Sequence, residues 1–250
     1  MYRLVVLNLV ILLATTITIC QGKFPKSPKP CPYGDEECIK KIVNFLLSEK
    51  INGYAPLNVV SLNPLKINEI SINQGKESPV NIDLRFQNSE LTGIKDAKVL
   101  HVKGFGKEIN GVHEITLGTD SVTLFGDYTI KGKVLILPVS GNGKSNITMD
   151  NLRLKVSILA ESLVKDGETY MNVKNVKLQI ETSRLHFDFR NLFNGDKVLG
   201  DNMNLFLNEN WKEIFGEVRN SITAAFASIF QSVIANVFSK YPYSKLFATE

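Results

Sequence analysis

The 250-residue sequence has few of the side chains that build catalytic or metal centres. None of its three histidines (His101, His113 and His186) has metal-ligand spacing with its cysteines. It also contains no G-x-S-x-G nucleophile motif, no H-E-x-x-H zinc motif and no glycine-rich phosphate loop. His186 alternates outward beside Asp188 on a predicted strand, a pattern more typical of a solvated face than of a catalytic pair. These absences predict a protein that is not an enzyme and uses no metal or cofactor.

The charge balance gives no reason to expect a nucleic-acid partner. The formal net charge is +4, from 29 Lys and Arg against 25 Asp and Glu. The lysines are spread among acidic residues, whereas nucleic-acid-binding proteins concentrate positive charge on one face or stretch. We therefore expect neither DNA nor RNA binding.

The first 22 residues have the features of a secretory signal peptide. Arg3 supplies a positive start, residues 4–13 an apolar segment, and small residues suited to cleavage follow at Thr18, Cys20 and Gly22. Cleavage after Cys20 and cleavage after Gly22 both fit. A signal anchor is the alternative, but the apolar segment is short and polar residues follow at once. We predict a secreted, extracellular protein whose mature part, residues 23–250, forms one domain.

Cys31 and Cys38 remain after the predicted cleavage. In an oxidising compartment this pair is expected to form a disulfide that ties the N-terminus to a helix. That helix is predicted over residues 35–50, with acidic residues at its start and Asn52-Gly53 at its end. Its apolar stripe consists of Ile39, Ile42, Val43, Leu46 and Leu47.

Between residues 67 and 190 the apolar period changes to two. Residues 80–87, 152–158 and 185–190 alternate without an error, which predicts strands. Further strands are predicted at 66–72, 98–103, 122–124, 128–137, 146–149 and 173–180. Turns are predicted at Gly104, Gly106, Gly126-Asp127, Gly141-Asn142-Gly143 and Lys165-Asp166-Gly167. One apolar face and one charged face indicate an antiparallel sheet with a single solvated side.

The last third of the chain has a long helical pattern. Residues 201–239 predict one helix of roughly 40 residues, about 60 Å long, capped by Asp201 or Asn208 and stopped by Tyr241-Pro242. No charged residue lies between Arg219 and Lys240, so this helix needs protein or lipid around it. A membrane span is disfavoured by its polar side chains, which are Asn220, Ser221, Thr223, Ser228, Gln231, Ser232, Asn236 and Ser239. We predict a helix buried in, or wrapped by, protein.

Two faces of this helix differ in side-chain size. The bulky face carries Ile222, Phe226, Ile229, Phe230, Val233 and Val237, and the opposite face carries Ser221, Ala225, Ser228, Ser232, Ala235 and Ser239. The small face is either half exposed or leaves room for a sheet or a ligand. Because long sheets curl, we predict an α+β fold in which a highly curved antiparallel sheet wraps the C-terminal helix, with the disulfide-tied helix at the N-terminus.

Two stretches resemble a known family. The segment from Cys31 to Cys38 with its helix, and above all FNGDKVLG (193–200) running into MNLFLNENW (203–211), are similar to the signature regions of the takeout / juvenile-hormone-binding-protein family of insects. The resemblance implies the fold of the tubular lipid-binding proteins, with an apolar tunnel between helix and sheet. It also implies a secreted, non-enzymatic carrier of terpenoid hormones, fatty acids or odorants. Dedicated hormone carriers of the family have a second cysteine pair, and its absence here favours the broader takeout branch.

Within such a tunnel, burying hydrocarbon would hold a lipid at about 25 cal/mol per Å², and a few polar groups would orient it. The candidate wall residues are Leu84, Phe86, Leu154, Val156, Phe187, Phe189, Ile214, Val218, Ile222, Phe226, Ile229 and Val233. For each of them the alternative is simple core filling. Tyr128 and Tyr170 are candidates for bonding a ligand head group, or else cap the barrel edge. Trp211 is predicted as a core anchor and Asn194-Gly195-Asp196 as a structural turn.

The sequence carries the N-glycosylation motif Asn146-Ile147-Thr148 after a predicted turn, so an exposed glycan at Asn146 is expected. Two functions remain open. One is an extracellular carrier, acting as a monomer on a small hydrophobic ligand. The other is a protein that docks on a membrane or a receptor through its surface, without stable membrane insertion.

Overall fold

The computed structural model of the chain describes residues 24–74 and 78–248. The predicted signal peptide therefore lies outside the described residues. The helices are α1 (Glu36–Ser48), α2 (Lys197–Glu209), α3 (Trp211–Phe238) and α4 (Tyr243–Leu246). The strands are β1 (Cys31–Pro32), β2 (Leu65–Asn73), β3 (Val80–Thr92), β4 (Lys98–Lys103), β5 (Gly111–Val134), β6 (Leu137–Lys165), β7 (Glu168–Glu181), β8 (Arg184–Phe189) and β9 (Phe247–Ala248).

The architecture is the predicted one, an antiparallel sheet around a long helix. Seven of the described strands form one sheet in the order β2-β3-β5-β6-β7, with β4 also paired to β5 and β8 to β6. Strand β6 alone has 29 residues, about 95 Å if it were straight, so the twisted sheet must curl. Helix α3 contacts β2 and β3 near one edge of the sheet and β7 and β8 at the opposite edge. The sheet therefore wraps the helix.

Two predicted turns are wrong, because Gly126-Asp127 lies inside β5 and Gly141-Asn142-Gly143 lies inside β6. At these glycines the neighbouring chain approaches the strand closely, from the bulge of β3 beside Gly126 and from the residues after β8 beside Gly143. A Cβ at Gly126 would lie 2.2 Å from Ser89 Oγ, and one at Gly143 would lie 2.4 Å from the Arg190 carbonyl oxygen. Glycine inside a strand often marks such a close approach.

On β5 and β6, the two longest strands, the alternation of inward-facing and outward-facing side chains shifts by one residue at one place. The inward series Ile115, Leu117, Thr119 continues as Val122 and Leu124 on β5. The reversal falls between the paired residues Thr119–Leu152 and Ser121–Asp150, and it is matched on β6. This shift explains why the pattern predicted separate strands at 146–149 and 152–158, which belong to one strand.

The turn of the hairpin that connects β5 to β6 contains none of the residue types that usually form turns. Val134 pairs with Leu137, so the turn consists of Leu135, which has φ +54°, and the exposed Ile136. The turn predicted at Lys165-Asp166-Gly167 is confirmed. Asp166 and Gly167 both have positive φ between the paired residues Lys165 and Glu168, as an Asp-Gly hairpin turn requires.

The predicted single C-terminal helix is two helices. Asp196 caps α2 by accepting a hydrogen bond from Leu199 N at 3.0 Å, so the predicted caps Asp201 and Asn208 lie inside the helix. The helical conformation is interrupted at Asn210, which has φ −102° and ψ 18°. The break lets α2 pack along β8 while α3 enters the curve of the sheet.

Helix α3 is wrapped on one side only. Its fully buried side chains are Ile214, Phe215, Val218 and Ile222, and none after Ile222 is fully buried. On the small face Ser228, Ser232 and Ser239 are exposed and the other three residues are half-buried, which agrees with the half-exposed interpretation. Among the described residues, α3 is also the one helix whose length and composition would suit a membrane span.

The N- and C-termini of the described chain meet at one end of the sheet. Strand β1 pairs in parallel with β9, and the predicted Cys31–Cys38 disulfide is present, with Cys31 buried. The predicted helix after it is confirmed as α1, which Asp35 caps by accepting from Cys38 N. The ring of Phe105 stacks on the rings of Phe238 and Phe247.

Candidate functional site

The concave face of the sheet and the bulky face of α3 enclose a cavity of about 300 Å³. Its wall is apolar except for one residue of the described chain, Thr119 on β5. The contribution of α3 runs from Ile214 to Ile234, a distance of about 30 Å at 1.5 Å per residue. The sheet, α1, the segment after β3, Leu207 on α2 and Leu62 before β2 supply the remaining wall. The arrangement can enclose apolar molecules, because it offers contact and exclusion of water but almost no hydrogen-bonding groups.

The FNGDKVLG–MNLFLNENW stretch positions part of this wall. Asn208 on α2 accepts from Phe187 N at 2.9 Å and donates to Phe187 O at 2.8 Å, and Asn204 makes the same pair of bonds with Phe189. The two amides therefore satisfy the free edge of β8 as a neighbouring strand would. Both phenylalanine side chains line the cavity.

Side chains of α1 accept hydrogen bonds from the backbone of the edge strand β4 in a similar way. Asn44 accepts from Val99 N at 2.8 Å, and Glu36 accepts from Val102 N at 2.9 Å. The bond from Val102 holds the pKa of the Glu36 carboxyl below its usual value, and His101, 2.6 Å away, adds to this effect. Helix α1 in turn presents Val43 and Leu47 to the cavity.

With this geometry established, comparison with known proteins identifies the family. The family model described as haemolymph juvenile hormone binding protein matches residues 9–248. The chain belongs to this family. Its members are binders of lipophilic ligands rather than enzymes, so the resemblance found in the sequence is confirmed.

Several members of the juvenile-hormone-binding-protein family are similar along their whole length. The circadian clock-controlled protein daywake of Drosophila melanogaster is 29% identical over 232 residues, which cover 91% of this chain and 89% of that protein. Daywake of Drosophila yakuba is 27% identical, covering 94% and 92%. The crystal structure of Epiphyas postvittana Takeout 1 matches with a TM-score of 0.76 and 23% identity, over 88% of this chain and all of that one. The chain thus has the Takeout fold.

Most side chains predicted as ligand contacts lie on the cavity wall of this family member. The residues that line it are Leu84, Phe86, Leu154, Val156, Phe187, Phe189, Ile214, Val218, Ile222, Phe226 and Val233. Strand alternation and the apolar faces of the two halves of the predicted helix were sufficient to select them. Their contact with a ligand stays a prediction.

Three predicted contacts do not line the cavity. The Tyr128 side chain is 2% exposed, and its hydroxyl donates to Arg190 O at 2.8 Å. Burial raises the pKa of Tyr128 to about 12. Tyr170 is half-buried opposite Leu163 on the β6–β7 hairpin, and Ile229 is half-buried on α3 outside the wall. The Tyr128 hydroxyl therefore ties β5 to the residue after β8 and lies outside the cavity wall.

Sequence reasoning missed much of the wall on β5. Ile115, Leu117 and Thr119 line the cavity in a stretch that was not predicted as a strand, because Gly118 and Asp120 interrupt it. The alternation of those three residues was the available signal. Residues Ile94 and Ala97 after β3 also line the cavity, and no periodicity marks them.

No metal centre is present in the part of the chain that the structure describes, since no three His, Cys, Asp or Glu side chains converge. His186 is exposed, and its Nε2 lies 3.0 Å from Asp150 Oδ2 rather than beside Asp188. The Asp150 carboxylate also accepts from Ser121. The pair lies on the solvated face of the sheet, away from the cavity wall.

Proposed function

We propose that this protein is a secreted, monomeric carrier that encloses one small hydrophobic molecule between α3 and the sheet. The observation that carries the proposal is the apolar cavity, whose single polar wall residue among those described is Thr119. One chain supplies the whole described wall, so one ligand per chain is the expected stoichiometry. Membership of a family of lipophilic-ligand binders supports the same function.

The shape of the wall favours an elongated ligand in a tunnel. A volume of about 300 Å³ spread along about 30 Å of helix is narrow. Burying hydrocarbon contributes about 0.8 kcal/mol per CH₂, so a chain of about 14 carbons gains roughly 11 kcal/mol before association costs. Those costs are at least about 4 kcal/mol, which leaves at most about 7 kcal/mol and therefore a dissociation constant of about 10 μM or above.

Three features support secretion. Residues 1–22 have the composition of a signal peptide, the disulfide suits an oxidising compartment, and the matching family is described from haemolymph. Asn146 is exposed on β6, where an N-glycan would project into solvent. We therefore place the protein outside the cell, with 23–250 as the mature single domain.

The alternative function is docking on a membrane or receptor through the surface. Exposed Leu163 and Val164 on the β6–β7 hairpin, with 48% and 70% of their surface accessible, are the feature that favours it. A surface-acting protein would bind vesicles without taking up a ligand. A carrier would take up the ligand without needing a vesicle.

Binding of the uncharged probe N-phenyl-1-naphthylamine separates the two functions. The full chain is expressed with its own leader in insect cells, stripped of lipid and titrated with the probe. Saturable uptake with one probe per chain and no flotation with phosphatidylcholine vesicles is expected. Vesicle binding without probe uptake would instead favour surface docking. Native mass spectrometry of unstripped protein would identify a ligand that co-purifies.

A further inference from the structure

The cavity wall offers no partner for a charged group. No lysine, arginine or histidine belongs to the described wall. Its one hydroxyl, on Thr119, donates to Gly93 O at 3.3 Å. Charged residues of the wall strands alternate with the lining residues and pair on the outer face, as Glu114 does with Lys155 at 2.8 Å.

Buried polar groups also leave nothing for a ligand to satisfy. Throughout residues 24–74 and 78–248, every buried side-chain nitrogen or oxygen has a hydrogen-bond partner. The backbone groups of the sheet are used in the strand ladders. A binding site made for a charged head group would instead hold an unpaired donor aimed into the cavity.

From this wall we infer that the cavity accepts uncharged lipids, such as hydrocarbons and long-chain esters, and rejects ionised ones such as fatty-acid anions. The inference rests on the proposed carrier function and narrows its ligand class. Moving a carboxylate into an apolar site without a partner costs so much that the group takes up a proton instead. An ester of the same length carries no such cost.

The size of the discrimination follows from the ionisation of the ligand. A carboxyl group with an ordinary pKa of about 4.3 is neutral in roughly one molecule per thousand at pH 7.4. If only the neutral form enters, the acid binds up to about a thousandfold more weakly than its ester at that pH. At pH 5.0 about one molecule in six is neutral, so most of the difference disappears.

Displacement of bound N-phenyl-1-naphthylamine tests this inference with methyl myristate and myristic acid as a matched pair. At pH 7.4 the ester is expected to displace the probe at a concentration at least about tenfold lower than the acid. At pH 5.0 the acid should improve by at least about tenfold while the ester stays unchanged. The ester thereby controls for any effect of pH on the protein.

Two variants of Thr119 sharpen the result. Thr119→Val should keep the preference for the ester, because the preference comes from the absence of a charge partner. Thr119→Lys places an ammonium group at the wall and should bring the affinity for the myristate anion closer to that for the ester. The pH comparison on the unmodified chain decides the matter if Thr119→Lys does not fold. Equal displacement by acid and ester at pH 7.4 would overturn the inference, whereas failure of the probe itself to bind would overturn the carrier function.

Discussion

The side-chain amide of Asn204 hydrogen-bonds to the backbone of Phe189 in both directions. Asn204 Oδ1 accepts from Phe189 N at 2.9 Å, and Asn204 Nδ2 donates to Phe189 O at 2.8 Å. Four residues later Asn208 repeats the arrangement with Phe187, since residues four apart share a helix face. Helix α2 therefore completes the edge of the sheet through side chains.

Replacing Asn204 with alanine leaves the partly buried N–H and C=O of Phe189 without partners. We expect the free energy of unfolding to fall by about 2 kcal/mol, because each lost hydrogen bond contributes about 1 kcal/mol. Asn202→Ala is the matched control, since Asn202 lies on the exposed face of the same helix and should change stability by less than about 0.5 kcal/mol. Urea unfolding measures both, and equal effects would contradict the role of the amide.

Glycine substitutions on β6 and α3 should have opposite effects. Gly143→Ala puts a Cβ 2.4 Å from Arg190 O, and such overpacking destabilises by about 1–3 kcal/mol. Gly216 lies within α3 with no atom within 4 Å of a new Cβ, so Gly216→Ala should stabilise by about 1 kcal/mol through helix propensity. Thermal unfolding of the two variants gives the signs. A destabilised Gly216→Ala would contradict the open surroundings of that residue.

Filling the cavity should weaken ligand uptake without unfolding the protein. Val233 lines the cavity from α3, whereas the neighbouring Ser232 is exposed on the outside of the same helix. We expect Val233→Phe to weaken probe binding at least about tenfold, because the ring occupies space that the ligand needs. Ser232→Phe adds the same ring outside and should bind normally. Fluorescence titration reports binding and circular dichroism reports folding; unchanged binding by Val233→Phe would argue against this cavity as the site.

Alkaline pH should destabilise the protein partly through Tyr128. Burial raises its folded-state pKa to about 12, from an ordinary value of about 10. Below pH 10 the hydroxyl is protonated in both states and its stabilisation is complete; as pH rises from about 10 to 12, the unfolded state ionises first and up to about 2–3 kcal/mol is lost.

Urea midpoints at pH 8 and pH 11 measure this loss, and Tyr128→Phe should reduce it. The variant should also lose about 1 kcal/mol at pH 8, because its hydrogen bond to Arg190 O is gone. The variant should still lose some stability at high pH, because burial also raises the pKa of Tyr243. An identical pH dependence in the variant would rule out the assigned role of Tyr128.

An N-glycan at Asn146 should pack on Phe125. The two residues face each other across β5 and β6, Asn146 is exposed, and 44% of the Phe125 surface is accessible. We expect protein secreted from insect cells to carry one glycan at Asn146, absent in Asn146→Gln and retained in the control Thr148→Ser. Enzymatic deglycosylation should lower the melting temperature by about 2 °C, and by less in Phe125→Ala. Mass spectrometry and calorimetry measure occupancy and melting, and unmodified Asn146 in secreted protein would refute the site.

Much of the fold could be predicted from local patterns. Alternation located the strands around Leu84, Leu154 and Phe187, and the disulfide of Cys31 and Cys38 was predicted correctly because they are the two cysteines left after the predicted cleavage. The bulky face of α3 gave Phe226 and Val233 as wall residues. These patterns succeed because a half-buried element must repeat its apolar residues at its own period.

The remaining features depend on segments that are distant in sequence. Gly126 and Gly143 have the composition of turns, yet they lie in strands, where Ser89 of β3 and Arg190 after β8 approach them too closely for a Cβ atom. The helix breaks at Asn210, where no proline or glycine stands, because α2 packs on β8 and α3 packs inside the sheet. Tyr128 has the chemistry of a ligand contact, but its partner is a backbone carbonyl.

The sequence by itself determined which face of the predicted strands and helices is apolar, which cysteines pair, and to which family the chain belongs. Only the tertiary structure decided how far each strand runs and which apolar side chains border a cavity rather than one another. The physical reason is that burial periodicity is a local property of a segment, whereas an enclosed space depends on the distance that the whole curled sheet keeps from α3.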